Sequence, residues 1–305
     1  MDRDEKTLAR ILFQNKIFKS DGQKFEDLFC DIMSYAEPEF RKIKPWGNIG
    51  DRKNDGYIEN KGIFYQVYAP EDISKNYTEV VRKLEGDFKG LINQWKNVKE
   101  FYFVVNEKYK GVNADAEQSL TNLKDIYKLN KSGIITSDNL ERKLFLLDDD
   151  QIQVIIGSIP KIDTILKLDY SILHEIVGYI LELPLKPIIG EIKFPDWDEK
   201  IQFNKLSPYS KHLLNNGTQT FGALDLFLHK QSFLAEELQK KMISIYQEIK
   251  EKWKSVSFTG EHIFWEMIEQ CSPRKSKAFQ EAIIVILAKY FESCDIFEEP
   301  KNKNK

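Results

Sequence analysis

Six residues, Glu-Phe-Tyr-Phe-Val-Val at Glu100–Val105, constrain the fold more than any other stretch of the chain. The run is compact and apolar and closes on Asn106, which predicts a strand buried on both faces. Such a strand needs covering layers, and its neighbours carry helical periodicity. Val80, Val81, Leu84, Phe88, Leu91, Ile92 and Trp95 recur at three-four spacing over 74–97, and 114–129 reads as a further helix. Upstream, a helix over 5–18 and a break at Lys19–Gly22 precede a second helix. Phe25, Leu28, Phe29, Ile32, Met33 and Ala36 form the buried face of that helix. Phe40–Pro45 is a candidate first strand. Asp55–Ile58 and Ile63–Tyr68 read as the arms of a hairpin, turned by Glu59-Asn60-Lys61-Gly62. Over 140–156 the pattern allows a helix to about Asp150 with a last strand at Val154–Ile156, or one continuing helix. The first 160 residues therefore follow α/β (α+β) grammar.

Past Pro160 only helices are legible. They cover 169–183, then 209–229 with a split near Asn215-Asn216-Gly217, then a long stripe from Leu234 to Trp253. Gly260–Gln270 and Ser272–Phe291 follow, with Ser272-Pro273 expected as N-cap and first helical residue. Pro184, Pro187, Gly190 and Pro195 enforce an irregular connection between the first two. For 305 residues the expected organisation is two domains, 1–160 of mixed type and 165–295 all-α, with a polar tail at 296–305.

Charge narrows the function classes. The net charge of −3 argues against coating nucleic acid by bulk attraction. Residues 41–110 nevertheless hold 14 Lys and Arg against 10 Asp and Glu, interleaved with Trp46, Tyr57, Phe64, Tyr65, Tyr68, Tyr77 and Trp95. That suits either a phosphate-lined groove with stacking sites or a solvated helix face over an aromatic core. Cys30, Cys271 and Cys294 show no metal-ligand or disulfide spacing and read as reduced thiols. His174, His212, His229 and His262 lie in expected helices without ligand spacing. The charged start and the lack of a long apolar run predict a cytoplasmic chain with no membrane span.

The stretch richest in possible chemistry is Gly47-Asn48-Ile49-Gly50-Asp51-Arg52-Lys53-Asn54-Asp55-Gly56, followed by Tyr65-Gln66-Val67-Tyr68-Ala69-Pro70. Hydrolysing a phosphodiester, already anionic, calls for a divalent cation held by oxygen ligands and a positive or basic group near the attacking water. Asp55 opens one hairpin arm and Gln66 lies on the other, with Tyr68 two residues on and so on the same face. Glu26 could reach in from the preceding helix, and Asp51 is a spare acid. On spacing alone, the same residues also make an ordinary turn in which Asp and Asn bond their own backbone.

Over residues 20–110 this pattern resembles the front of the PD-(D/E)xK restriction-endonuclease-like superfamily, the Mrr-like branch in particular. The resemblance implies a helix acid at Glu26, a metal-binding loop aspartate at Asp55 and a strand ligand at Gln66. It also implies a lysine at position 68, where this chain has Tyr68. A restriction-endonuclease-like fold, Mg2+ (or Mn2+) held by Asp55, Gln66, Glu26 and Asp51, and cleavage of DNA are then expected. Arg52, Lys53 and Lys61 would lie against nucleic acid, with Lys53 or Lys61 replacing the missing cation. Asp55→Ala and Gln66→Ala should abolish cleavage with the fold intact. The alternative is a catalytically degenerate, nuclease-like binding or adaptor subunit. Residues 165–295, with Trp197-Asp198-Glu199-Lys200-Ile201-Gln202-Phe203-Asn204-Lys205-Leu206, are similar to carboxy-terminal helical domains of bacterial ABC three-component (Lamassu-like) antiphage systems. That similarity implies an SMC-type ATPase and a further defence-system subunit as partners.

Overall fold

Phe101, Phe103, Val104 and Val105 are wholly buried, because the strand that holds them sits inside a five-stranded sheet with helices on both faces. The structure is a computed structural model. It describes residues 1–44, 52–71, 73, 77–160, 169–184, 197–229, 232–254, 259–293 and 295–300. The chain divides into two compact units, Phe13–Ile156 and a second made of Met1–Leu12 with Gly157–Lys305. Met1–Leu12 thus fall with the residues after Gly157, apart from the rest of the amino-terminal part of the chain.

In the sheet unit, β1 (Arg41–Lys42), β2 (Gly56–Ile58) and β3 (Ile63–Tyr68) run antiparallel in turn. β3 pairs in parallel with β4 (Glu100–Val105), and β4 with β5 (Lys131–Ile135). Helices α1 (Arg3–Lys19) and α2 (Gln23–Ala36) precede the sheet. Helix α3 (Tyr77–Gln94) connects β3 to β4, and α4 (Ala114–Tyr127) connects β4 to β5. Alternation along the strands divides the core. Phe64, Phe101, Phe103 and Val105 meet Val80, Leu84, Phe88 and Leu91 of α3 and Leu120 and Leu123 of α4. On the other face Tyr65 stacks on Tyr102 and packs against Phe29 of α2, their ring centroids 5.5 and 5.6 Å from that of Tyr65.

Several expectations are corrected here. Val154–Ile156 is no strand; the segment forms two helices, α5 (Ser137–Leu144) and α6 (Asp149–Ile156). Thr136 and Asn139 cap α5 reciprocally, and Ile152, Ile155 and Ile156 form the buried face of α6, so helical spacing wins over the β-branched run. The last strand is instead β5, whose half-exposed Lys-Ser-Gly-Ile-Ile carries too weak an apolar signal to be read. The first strand is only Arg41–Lys42, and Pro45 lies outside the described residues.

The helical unit contains α7 (Tyr170–Glu182), α8 (Trp197–Phe203), α9 (Pro208–Thr218), α10 (Phe221–His229), α11 (Ser232–Lys252), α12 (Gly260–Gln270) and α13 (Lys277–Glu292). Its centre is α13, buried almost without break from Ala282 to Phe291 and packed against α7, α9, α10, α11 and α12. Gly217 of α9 lets the two helices touch: a Cβ there would lie 2.9 Å from that of Ala288. The break between α9 and α10 falls at Gln219-Thr220 rather than at Asn215–Gly217, which stay helical. Helix α13 begins at Lys277 with Ser276 as N-cap, so Ser272-Pro273 is not its start. The expected tail is also docked at its beginning. Ile296 and Phe297 are buried, and Glu298 exchanges backbone hydrogen bonds with the Asn204 side chain. Two apolar residues in a polar stretch explain this. Cys30 and Cys271 are buried free thiols, each pushed by burial up to about 12; Cys294 lies outside the described residues. Among the described residues no helix is long and apolar enough to cross a membrane.

Candidate functional site

The register of the hairpin brings Asp55 to Gln66. Gly56 lies opposite Tyr65, and the Asp55 N–H donates to Tyr65 O at 3.0 Å, extending the pairing by one residue. Gln66 Nε2 then donates to Asp55 Oδ2 at 2.7 Å, and the Val67 N–H donates to the same oxygen at 2.6 Å. Both side chains are buried, Asp55 4% and Gln66 5% exposed, and among the described residues Gln66 Oε1 has no hydrogen-bond partner. Beside them Asn54 is wholly buried. Its Oδ1 accepts from the Gly56 N–H at 3.1 Å, and its Nδ2 has no partner among the described residues. Native interiors rarely leave such atoms unpaired, because each costs roughly 1–3 kcal/mol.

Tyr68 follows Gln66 on the face toward α3, half-buried and stacked on Phe103 at 6.1 Å. Burial, and then the Glu79 carboxylate, push its phenol above the ordinary value although Arg82 pulls the other way. At neutral pH it is therefore an uncharged hydrogen-bond donor. The two candidate replacements for a lysine go elsewhere. Lys61 pairs with Glu39 at 2.9 Å beside the hairpin turn. Lys53 reaches α3, where its Nζ lies 3.0 Å from Asp87 Oδ1. Arg52 and Lys53 both adopt left-handed backbone (φ 53° and 61°), held in place where Trp95 Nε1 donates to Arg52 O at 3.2 Å. The Arg52 side chain is exposed.

Glu26 stands in the first turn of α2, the helix on the opposite face. Among the described residues its side chain forms no hydrogen bond or ion pair, though its charge is felt by Cys30 and Lys42. Asp51 lies outside the described residues, as does Trp46. The aromatic residues of this region mostly pack on one another: Tyr57, Phe64 and Trp95 form a cluster with centroids 5.3–5.9 Å apart, Tyr57 and Trp95 on its half-buried side. Among the described residues no three His, Cys, Asp or Glu side chains converge as metal ligands. The candidate ligand oxygens are those of the Asp55 carboxylate and, on the amide whose nitrogen donates to it, Gln66 Oε1. Both are hard oxygen ligands of the kind Mg2+ and Mn2+ take, so the pair fits such an ion in chemical type.

Sequence reading missed Asp87, Lys83 and Gly90. Asp87 is 2% exposed on α3 and is flanked by Lys53 and by Lys83, whose Nζ lies 3.1 Å from Asp87 Oδ2. The signal was there: Leu84, Asp87 and Leu91 share the three-four spacing of the buried stripe, which places a carboxylate where a core residue belongs.

Residues 171–298 match the family model for C-terminal domain 10 of the ABC-three component (ABC-3C) systems. The helical region is similar to that domain. The match supports a place for this chain in an ABC three-component system, and other subunits of such a system as its partners. It ends at 298, within the docked segment that holds Phe297 and Glu298, and it does not extend into the sheet unit. No curated protein and no solved structure matches the chain.

Proposed function

We propose that the sheet unit is a metal-dependent nuclease, a PD-(D/E)xK-like effector acting on DNA within a bacterial ABC three-component antiphage complex. The observation that carries this reading is the buried Asp55–Gln66 pair with its unpartnered Gln66 Oε1. A hairpin closed only for stability would gain by pairing that oxygen or replacing it with an apolar group. Asp55 and Gln66 would hold Mg2+ or Mn2+, with Asp51 and Glu26 as further candidate ligands; such an ion, when bound, offsets phosphate charge and acidifies a water. The chain's own part is orientation. Val67 N–H and Gln66 Nε2 fix the Asp55 carboxylate, and the neutral Tyr68 hydroxyl can donate to a phosphate or water on the same face. Arg52, Lys53 and Lys61 would contribute positive charge along the nucleic acid. The helical region docks this unit onto the other subunits, an SMC-type ATPase among them.

Tyr68 favours a second reading, a subunit of the same kind of complex that binds DNA without cutting it. The test is cleavage of duplex DNA by the full chain with the partner subunits of its own system, with and without divalent ion. Asp55→Asn and Gln66→Ala are expected to abolish cleavage; cleavage by the double variant at the wild-type rate sinks the nuclease reading. Metal-independent retention of DNA without cleavage by the unaltered chain selects the second reading.

A further inference from the structure

We propose that Asp87 is a positioning residue that sets Lys53 and Lys83 as a paired phosphate clamp on α3, the helix that covers the face of the sheet to which Gln66 and Tyr68 point. The inference rests on the nucleic-acid reading above and extends it to residues on α3.

Three observations carry it. First, Asp87 is a carboxylate buried to 2% exposure, and the two groups beside it are both cations: Lys53 Nζ at 3.0 Å and Lys83 Nζ at 3.1 Å. The two ammonium groups share that one carboxylate, which stands on the helix packed against the side of the sheet to which Gln66 and Tyr68 point. Second, the chain is shaped to lay Lys53 there. Its backbone is left-handed (φ 61°), a conformation L side chains avoid, and its stem crosses α3 at Gly90, where an added Cβ would come within 2.8 Å of Lys53 Cγ. Third, each lysine keeps over a third of its side chain exposed, Lys53 43% and Lys83 36%, while the Asp87 side chain keeps 3%. The anchor is sealed and the cations remain accessible. An ion pair serving stability alone needs one lysine, and a buried pair is a weak source of stability. Two lysines held by one carboxylate suit an incoming dianionic stretch of phosphates, each contact releasing counterions. The clamp also supplies from α3 and the loop the cationic character that Tyr68 lacks on β3.

The experiment is binding of a fluorescein-labelled DNA duplex to the full chain in EDTA, measured across a salt series. Thermal melting of each variant confirms folding. Lys53→Ala and Lys83→Ala should each flatten the dependence of log K on log salt by about one unit. Gly90→Ala is the sharper probe, because it changes no charge and its helix gain of about 1 kcal/mol offsets the displaced Lys53 contact, so it should stay folded. Its slope should nevertheless fall as in Lys53→Ala. Asp87→Asn removes a negative charge, which would tighten DNA binding if Asp87 were a bystander; weaker binding with a flatter slope is expected instead. Wild-type slopes in folded Gly90→Ala and Lys83→Ala overturn the clamp while leaving DNA binding itself standing. Tighter binding by Asp87→Asn overturns its positioning role. Absence of salt-dependent DNA binding by the unaltered chain overturns the nucleic-acid reading and the clamp with it.

Discussion

Gln66 gives its amide hydrogen to Asp55 and, among the described residues, keeps its amide oxygen unpaired, so the two residues form a half-used pair inside the sheet. Asp55 Oδ2 accepts from both Gln66 Nε2 and the Val67 N–H. Asp55→Ala therefore orphans two donors, and the expectation from sequence that it leaves the fold untouched does not follow. It should cost about 1–3 kcal/mol in urea unfolding. Asp55→Asn should cost less, because its amide oxygen can keep the Val67 bond, and so it is the cleaner probe of activity.

Replacing Gln66 by Glu sets a second carboxylate within hydrogen-bond reach of Asp55. Like charges in one buried site destabilise the doubly ionised form. Q66E should melt below wild type at neutral pH in EDTA and recover on addition of millimolar Mg2+ or Mn2+, through preferential binding to the folded state. Equal melting in EDTA and metal would mean that the pair holds no ion.

Tyr68→Lys tests the missing cation directly. Under the nuclease reading it should raise divalent-dependent cleavage by at least about tenfold, because a positive group aimed at developing charge is among the larger contributions to such catalysis. The Glu79 carboxylate, already close enough to influence the Tyr68 phenol, would help keep the lysine charged. An unchanged rate would count for the binding subunit.

His262 makes the helical unit sensitive to acid. Burial lowers its imidazole to about 4 from an ordinary 6.5, and its Nδ1 lies 3.3 Å from the Thr259 N–H that donates to it at the start of α12. Between pH 6.5 and 4 the unfolded chain binds the extra proton, so stability falls as pH is lowered through that window. The loss attributable to this group is about 3 kcal/mol. His262→Gln can preserve the acceptor without titrating. A stability profile for it that parallels wild type from pH 6.5 to 4 would refute the assignment.

Gly217→Ala should destabilise the contact of α9 with α13. The added methyl would stand 2.9 Å from Ala288 Cβ and 3.3 Å from Ile284 O, neither of which can swing aside. A loss of about 1–2 kcal/mol is expected from overpacking, read from the denaturation midpoint.

What the sequence made legible follows from which signals are local. The hairpin, the buried strand at Glu100–Val105 and the stripe of α11 each repeat a period within their own residues, and each is where it was read. The edge strand β5 fails that test. Its Ser132 and Gly133 carry no apolar signal, and its pairing with β4 is set by a partner 31 positions earlier, as in Glu100 opposite Lys131. The Val154–Ile156 run stayed open between strand and helix for the converse reason: its three β-branched residues suit a strand, while a buried helical face was what tertiary packing needed. At the site, Asp55 and Gln66 could be brought near each other from their places on the two arms of the hairpin. The destination of Lys53 could not, because it depends on a left-handed turn and on a glycine 37 positions away on another helix.

The membership of Met1–Leu12 also bears on how the chain is made. These residues belong with the helices that follow Gly157, with the whole sheet unit intervening in sequence. They are synthesised before the sheet unit, whereas the rest of their own unit is synthesised after it. During translation Leu8 and Ala9, buried in the finished protein, must therefore wait in solvent while an entire neighbouring unit folds. The helices after Gly157 are thus made after the sheet unit and complete a unit whose first segment precedes it. Non-local closure of this kind is slow and leaves apolar surface open meanwhile.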